Sequence, residues 1–305
     1  MKHSPVLLLS LVIAVIPASA QLFFQESFSY PDGLIVGAGG SPWVNNYQPA
    51  NQAAVAGGRL VLTDTRQESI RYNFTNAVNT GKVFASFSVN FSALPSGDGN
   101  FFAFFRAAGV DNLRARVWAA TNNAAPGKFR LGIYTIFEPA TMVTADLSLH
   151  TDYLLVTSYD ITNAISTLWI NPTHSADTSL YVSHSDGTGV GLPAIGHFGF
   201  AQRFAFQNSG NTIGSLTVDN LRLGRSFNDV FPSRFTSVSS GAGGSIRLIG
   251  LGAVGTNYTI MANTNLATAD WLNVGNAVAD ANGVLQFTDS NAPNFRQRFY
   301  QLRQP

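Results

Sequence analysis

The sequence contains no cysteine. Disulfides, thiolate nucleophiles and cysteine-ligated zinc are excluded, so stability must come from burial. Charge is scarce as well, at 11% of 305 residues. Only Glu26, Glu68 and Glu138 are glutamates, and they lie far apart in the sequence. Glycoside hydrolysis usually needs two carboxylates flanking the scissile bond, which these positions do not offer locally. Long apolar runs are missing too. The stretch 6–16 is too short to span a bilayer comfortably.

That stretch has another use. Lys2 and His3 precede it, and Ala18-Ser19-Ala20 follows with the small residues a signal peptidase needs. Residues 1–20 therefore read as a secretory signal, with a mature chain starting at Gln21. A membrane anchor is the alternative, disfavoured by the cleavage site. Without Lys2 the chain carries 17 basic and 17 acidic residues. Such a balance argues against nucleic acid as the partner, because phosphate binding wants a surplus of Lys and Arg.

Period-two patterns dominate what remains. In "KVFASFSVNFSAL", Val83, Ala85, Phe87, Val89 and Phe91 share one face, while Phe84, Ser86, Ser88 and Asn90 share the other. This is a strand with one buried face. "NFFAFFRAAG" is apolar on both faces and belongs near the centre of packed sheets. "YLLVTSYDI", "ISTLWIN", "GHFGFAQRFAF" and "SLTVDNLRLG" continue the series, separated by turns such as "PSGDGN" and "SDGTGVG". In "SLTVDNLRLG" the apolar residues Leu216, Val218, Leu221 and Leu223 break strict alternation, which predicts a bulge near Asp219-Asn220. After Phe231 a proline and a Gly/Ser-rich stretch precede a second set of short strands, which suits a junction. The expected organisation is all-β: residues 21–231 as one sandwich and 232–305 as a smaller one.

Several stretches carry a resemblance. "ESFSYPDGLIVGAGG", "TGKVFASFSVNFS", "DYLLVTSYDITNAISTLWINP" and "LTVDNLRLGRSF" together make residues 22–230 resemble the concanavalin A-like lectin/glucanase superfamily. Within it they resemble the LamG-like jelly rolls of secreted bacterial proteins. The resemblance implies that the first and last strands lie side by side, "FFQESF" against "LTVDNLRLG". Residues 232–305 resemble a small C-terminal β module of such proteins, immunoglobulin- or fibronectin-like, through "YTIMANTNLATADWLNVGN", "DANGVLQFTDSNAP" and "RFYQLR". Jelly rolls host lectins, hydrolases, lyases and inert spacers, so the resemblance implies architecture more than function.

The catalytic motifs of that superfamily are missing or broken. No Glu-x-Asp-x-Glu occurs. "KFRLGIYT" is similar to the tyrosine-bearing strand of jelly-roll alginate lyases, with Tyr134 at the matching place. "RQESIR" is one residue too long for their Arg-x-Glu-x-Arg strand, and their Gln-x-His element is missing. There is no Gly-x-Ser-x-Gly elbow. His150, His174, His184 and His197 show no metal-ligand spacing, and neither Gly/Asp turn is a calcium loop. No cofactor is expected, calcium having no motif to support it.

A binding surface is the positive signal. Alternation puts Arg114, Arg116 and Trp118 on one face of "NLRARVWAA", and Arg130, Gly132 and Tyr134 on one face of "KFRLGIYTI". If "ATNNAAPG" joins these strands as a hairpin, three arginines, a tryptophan and a tyrosine form one patch. Sugar rings stack on aromatic faces, and guanidinium forks bind hydroxyls and carboxylates. Trp43 and Tyr47 are candidates for its rim or for plugging the sandwich end. Trp169 and Trp271 read as packing residues. The expected protein is a secreted, non-catalytic binder or adhesin for glycans, with a lean towards acidic ones. Two alternatives stand: a lyase acting on acidic glycans through Tyr134 and Arg130, and a structural cell-surface or matrix component.

Overall fold

The computed structural model describes residues 22–47, 49–136, 139–186, 194–202 and 210–303. The candidate signal, Glu138 and most of "SDGTGVG" lie outside the described residues. Strands dominate, and the α-helix Phe227–Val230 has a single turn. Among the described residues no helix is long and apolar enough to cross a membrane.

Two large antiparallel sheets form a jelly-roll β-sandwich. The larger runs, in spatial order, Tyr181–Ser185, Ile165–Ile170, Asp152–Asp160, Lys82–Ala93, Ser215–Gly224, Arg59–Thr63, Ala54–Ala56 and Gly33–Leu34. Phe24–Glu26 adds to Ser215–Gly224, pairing Phe24 with Leu223 and Glu26 with Leu221. The expected neighbouring of first and last strands is therefore present. The second sheet runs Thr141–Met142, Lys128–Tyr134, Leu113–Ala120, Asn100–Ala107, Ile195–Ala201, Ser69–Val78 and Val44–Tyr47. Leu147–Ser148 also pairs with Lys128–Tyr134.

The alternation in Lys82–Ala93 explains its central place. Val83, Ala85, Phe87, Val89 and Phe91 are all fully buried. Phe87 meets Phe198 and Phe200 of the opposite sheet at ring distances of 5.9 and 5.4 Å. Each such phenylalanine contributes roughly 1.5–3 kcal/mol by burial. The other face of the strand is covered at Phe84, which packs with Val156, Trp169, Phe227, Val230 and Phe231. A capping box holds this cover: Ser226 Oγ accepts from the Asp229 amide, and Asp229 accepts from the Ser226 amide.

Glu26 and Trp43 close one end of the sandwich. The buried Glu26 carboxylate accepts from the Phe28 amide at 2.8 Å, Tyr30 Oη at 2.6 Å and Trp43 Nε1 at 3.1 Å. Burial and the neighbouring Glu26 push the Tyr30 hydroxyl up. Trp43 stacks on Phe28 and is 2% exposed, so it plugs the core and forms no rim. Glu68 is buried as well, accepting from Asn45 and from the Gln52 and Ala53 amides. Both glutamates organise backbone rather than face a cleft.

Strands after residue 231 form two three-stranded sheets. One contains Arg234–Ser240, Ile246–Leu251 and Val284–Asp289; the other contains Leu272–Val278, Asn257–Asn263 and Phe299–Arg303. Leu248, Tyr258, Ile260 and Leu285 fill the space between them. Arg298 and Asp289 form a buried ion pair at 2.9 Å, and Tyr300 Oη donates to Asp289 at 2.9 Å. Burial and Asp289 push the Tyr300 hydroxyl up to about 12. Trp169 is a packing residue as expected. Trp271 is only half-buried and stays outside the small core.

Candidate functional site

Leu113–Ala120 and Lys128–Tyr134 do pair as neighbours, with Arg116 opposite Tyr134 and Trp118 opposite Gly132. Arg116, Trp118 and Tyr134 share the outer face of the second sheet. The patch nevertheless differs from expectation at three of its five residues.

Arg114 points the other way. Ala115 takes a positive φ of 44°, and the register against Asn100–Ala107 slips there. The extra residue turns Leu113 outward and Arg114 inward. Arg114 Nε donates to Tyr159 Oη of the opposite sheet at 3.3 Å, and the side chain is buried. Strict alternation misplaces it because a bulge adds one residue to a strand.

Trp118 and Tyr134 face outward but are covered. They are 6% and 1% exposed, and they pack with Phe101, Phe104 and Leu113. Trp118 Nε1 donates to the Asp98 carbonyl at 2.7 Å, which brings the "PSGDGN" turn over the ring. Gly99 in that turn has φ +76°, and a Cβ there would lie 1.8 Å from the Ala119 carbonyl oxygen. Only glycine lets the turn approach this closely. Neither ring offers an open face for a sugar.

Arg116 and Arg130 remain half-exposed. Arg116 donates to Tyr134 Oη and lies 4.5 Å from the Tyr134 ring centre and 5.4 Å from that of Phe101. Arg130 Nε donates to Asp146 at 2.7 Å, and backbone and guanidinium donors hold that carboxyl below its usual range. Arg116 borders a hollow of about 170 Å³ that Asn46, Tyr47 and Asp111 also line. Tyr47 therefore flanks Arg116, whereas Trp43 does not.

A second set of polar groups continues from this hollow across the same sheet face. His197 on Ile195–Ala201 stands in register with Asn73 on one side and Arg106 on the other. His197 Nδ1 is 2.8 Å from Asn73 Oδ1. Arg71 Nε donates to the same oxygen at 3.0 Å, and its Nη1 donates to Asn46 Oδ1 at 3.2 Å. Arg106 Nε donates to Asp111 at 3.1 Å. Burial, with Arg71 and Arg106 nearby, pushes the His197 imidazolium down to about 4. Burial also lowers Arg71, and Arg106 adds to that effect. The row is thus cationic, amide-rich and held by its own hydrogen bonds.

Sequence patterning did not find this row. Asn73, Arg106 and His197 each occupy an outward position in a different strand. Their strands are far apart in sequence, and only the crossover order of the sheet makes them neighbours. Among the described residues no group of three His, Asp or Glu is placed to hold a metal ion.

No protein-family model matches the chain, and no curated protein matches its sequence. Solved structures with some likeness include the Emp47p carbohydrate recognition domain, at 13% identity and TM-score 0.40, covering 68% of this chain and 98% of that one. Lectin II from Ulex europaeus is similar at 14% identity and TM-score 0.41, covering 67% and 98%. A Trypanosoma rangeli sialidase in complex with 2,3-difluorosialic acid is similar at 15% identity and TM-score 0.44. That match covers 70% of this chain and spans only 32% of the sialidase.

Proposed function

We propose that the chain is a secreted glycan-binding or adhesion protein. Its larger sandwich is read as LamG-like, and residues 232–305 as an attached spacer or attachment module. The observation that carries the reading is the Asn73–His197–Arg106 row, joined by Arg71 and Asn46 to the hollow beside Arg116. Amides and guanidiniums are the groups that hydrogen-bond sugar hydroxyls, and arginine forks add bidentate binding of carboxylates. Because the groups already bond one another, little side-chain freedom is lost on binding. Arg116 belongs to this surface, with Trp118 and Tyr134 supporting it from behind. Glycan-array binding by the mature chain, repeated with Arg106→Gln, tests it. Binding that falls in the variant supports the reading, and an unreactive wild type sinks it.

A second reading, a lyase for acidic glycans, is favoured by one observation. Asn73 Oδ1 accepts from Arg71, so the facing His197 Nδ1 carries the hydrogen and Nε2 keeps its lone pair. A neutral imidazole between two arginines suits proton abstraction beside a uronate carboxylate. The base takes the proton α to the carboxylate, the α,β double bond forms as the glycosidic C–O bond at the β carbon breaks, and the leaving alkoxide takes a proton from water. Tyr134 is a poor base by comparison, being buried and bonded to Arg116. Appearance of unsaturated product from acidic polysaccharide, abolished in His197→Gln, tests this reading. No product from any acidic polysaccharide rejects it.

A further inference from the structure

A second hollow, of about 660 Å³, lies between the outer face of the larger sheet and the small C-terminal sheets. Its size falls in the range of about 300–1,000 Å³ typical of ligand sites. Three arginines line it, each from a different element. Arg222 comes from the closing strand Ser215–Gly224, Arg234 from the first strand after the junction, and Arg303 from the last strand.

The bulge at Asp219-Asn220 aims the first of these. Leu216 and Val218 face the core, so unbroken alternation would also turn residues 220 and 222 inward. Asn220 instead takes φ 55°, and the register against Lys82–Ala93 slips between Asp219 and Arg222. Leu221 and Leu223 then fill the core, while Asn220 and Arg222 line the cleft. The irregularity in the closing strand therefore has a consequence outside the core: it delivers a cation to the space between the two sandwiches.

The charge in this cleft is unbalanced. None of the three arginines forms an ion pair among the described residues. Asp152 is the carboxylate in the lining, and it is already held by Arg59 at 3.3 Å and Asn90 at 2.9 Å. Burial lowers the half-buried Arg222 guanidinium. Arg234 and Arg303 stay open to solvent, whereas Arg222 is half-buried. A partly desolvated cation without a counter-charge is costly, and a bound anion relieves that cost. Amides at Asn220 and Gln301 offer hydrogen bonds beside the charges.

We propose that this cleft binds the carboxylate or sulfate groups of an acidic polysaccharide. The polymeric glycan as source rests on the function proposed above. The oxyanion chemistry rests on the arginines alone. Three cations spread over three elements suit repeated charges along a chain better than one small ion.

The test uses the full mature chain with Arg71→Gln and Arg106→Gln removing the sheet surface. Oligogalacturonate, sulfated dextran and neutral dextran oligomers are titrated calorimetrically against this background and against wild type. Arg234→Gln and Arg303→Gln are then added, at exposed positions, with thermal unfolding checked. The cleft predicts that acidic oligomers still bind the background and weaken at least about tenfold when its arginines are removed, as expected for charge-assisted hydrogen bonds. Which acidic oligomer binds identifies carboxylate or sulfate as the recognised group. Loss of all acidic binding in the background overturns the cleft and leaves the sheet reading standing. So does residual binding that the cleft substitutions leave unchanged. Binding that ignores the sheet substitutions and disappears with the cleft ones supports the cleft and removes the sheet reading.

Discussion

His197 Nδ1 lies 2.8 Å from Asn73 Oδ1, and Arg71 Nε donates to that same oxygen from 3.0 Å. Arginine cannot accept, so the oxygen must, and the imidazole is fixed as an Nδ1–H tautomer. A proton added at Nε2 would place a third cation beside Arg71 and Arg106.

Stability should therefore depend on pH through His197. Its ordinary pKa of 6.5 falls to about 4 in the fold. Between these values the unfolded chain binds a proton that the folded chain refuses. The contribution is complete above 6.5, declines as pH falls, and is gone below about 4. Denaturant midpoints measured across this window should drop in wild type and drop less in His197→Gln. Equal slopes would contradict the assignment.

Trp118 should behave as a core residue although it lies on an outer face. Trp118→Ala should cost about 3–5 kcal/mol in urea unfolding, the usual penalty for truncating a buried aromatic. A cost near zero would mean that its ring is open and free to stack on sugars.

Glu26 should matter to folding and not to binding. Glu26→Ala strands the Phe28 amide, Tyr30 Oη and Trp43 Nε1 without their acceptor. Buried donors left unpaired cost about 1–3 kcal/mol each, so a loss of roughly 3 kcal/mol or more is expected. Glu26→Gln, which keeps one acceptor, should cost less. Folded variant at low temperature should bind glycans as wild type does.

Asp289→Ala should destabilise the small sheets by about 3–5 kcal/mol, because Arg298 is left buried without its partner. Tyr300 should then titrate below its present value of about 12, which ultraviolet absorbance follows.

Patterning of period two made the all-β sandwich legible, most clearly in Lys82–Ala93, where every expected core position is buried. The bulge at Asp219-Asn220 was readable too, because four leucine and valine positions refuse a single phase. The bulge at Ala115 was not. A small residue fits either face of a sheet, so the apolar pattern carries no sign of the slip that turns Arg114 inward. Cover over Trp118 depends on a turn from another part of the chain, which strand periodicity does not describe. The Asn73–His197–Arg106 row arises from strands paired out of sequence order, and the cleft arginines from three elements spread over eighty residues.

The most direct measurement is calorimetric titration of the mature protein with glycans that bind it on an array, comparing wild type with Arg71→Gln, Arg106→Gln. The polar row predicts affinity reduced by about tenfold or more, with the unfolding midpoint nearly unchanged. Equal affinity in the two proteins, or no glycan bound by wild type, would contradict it.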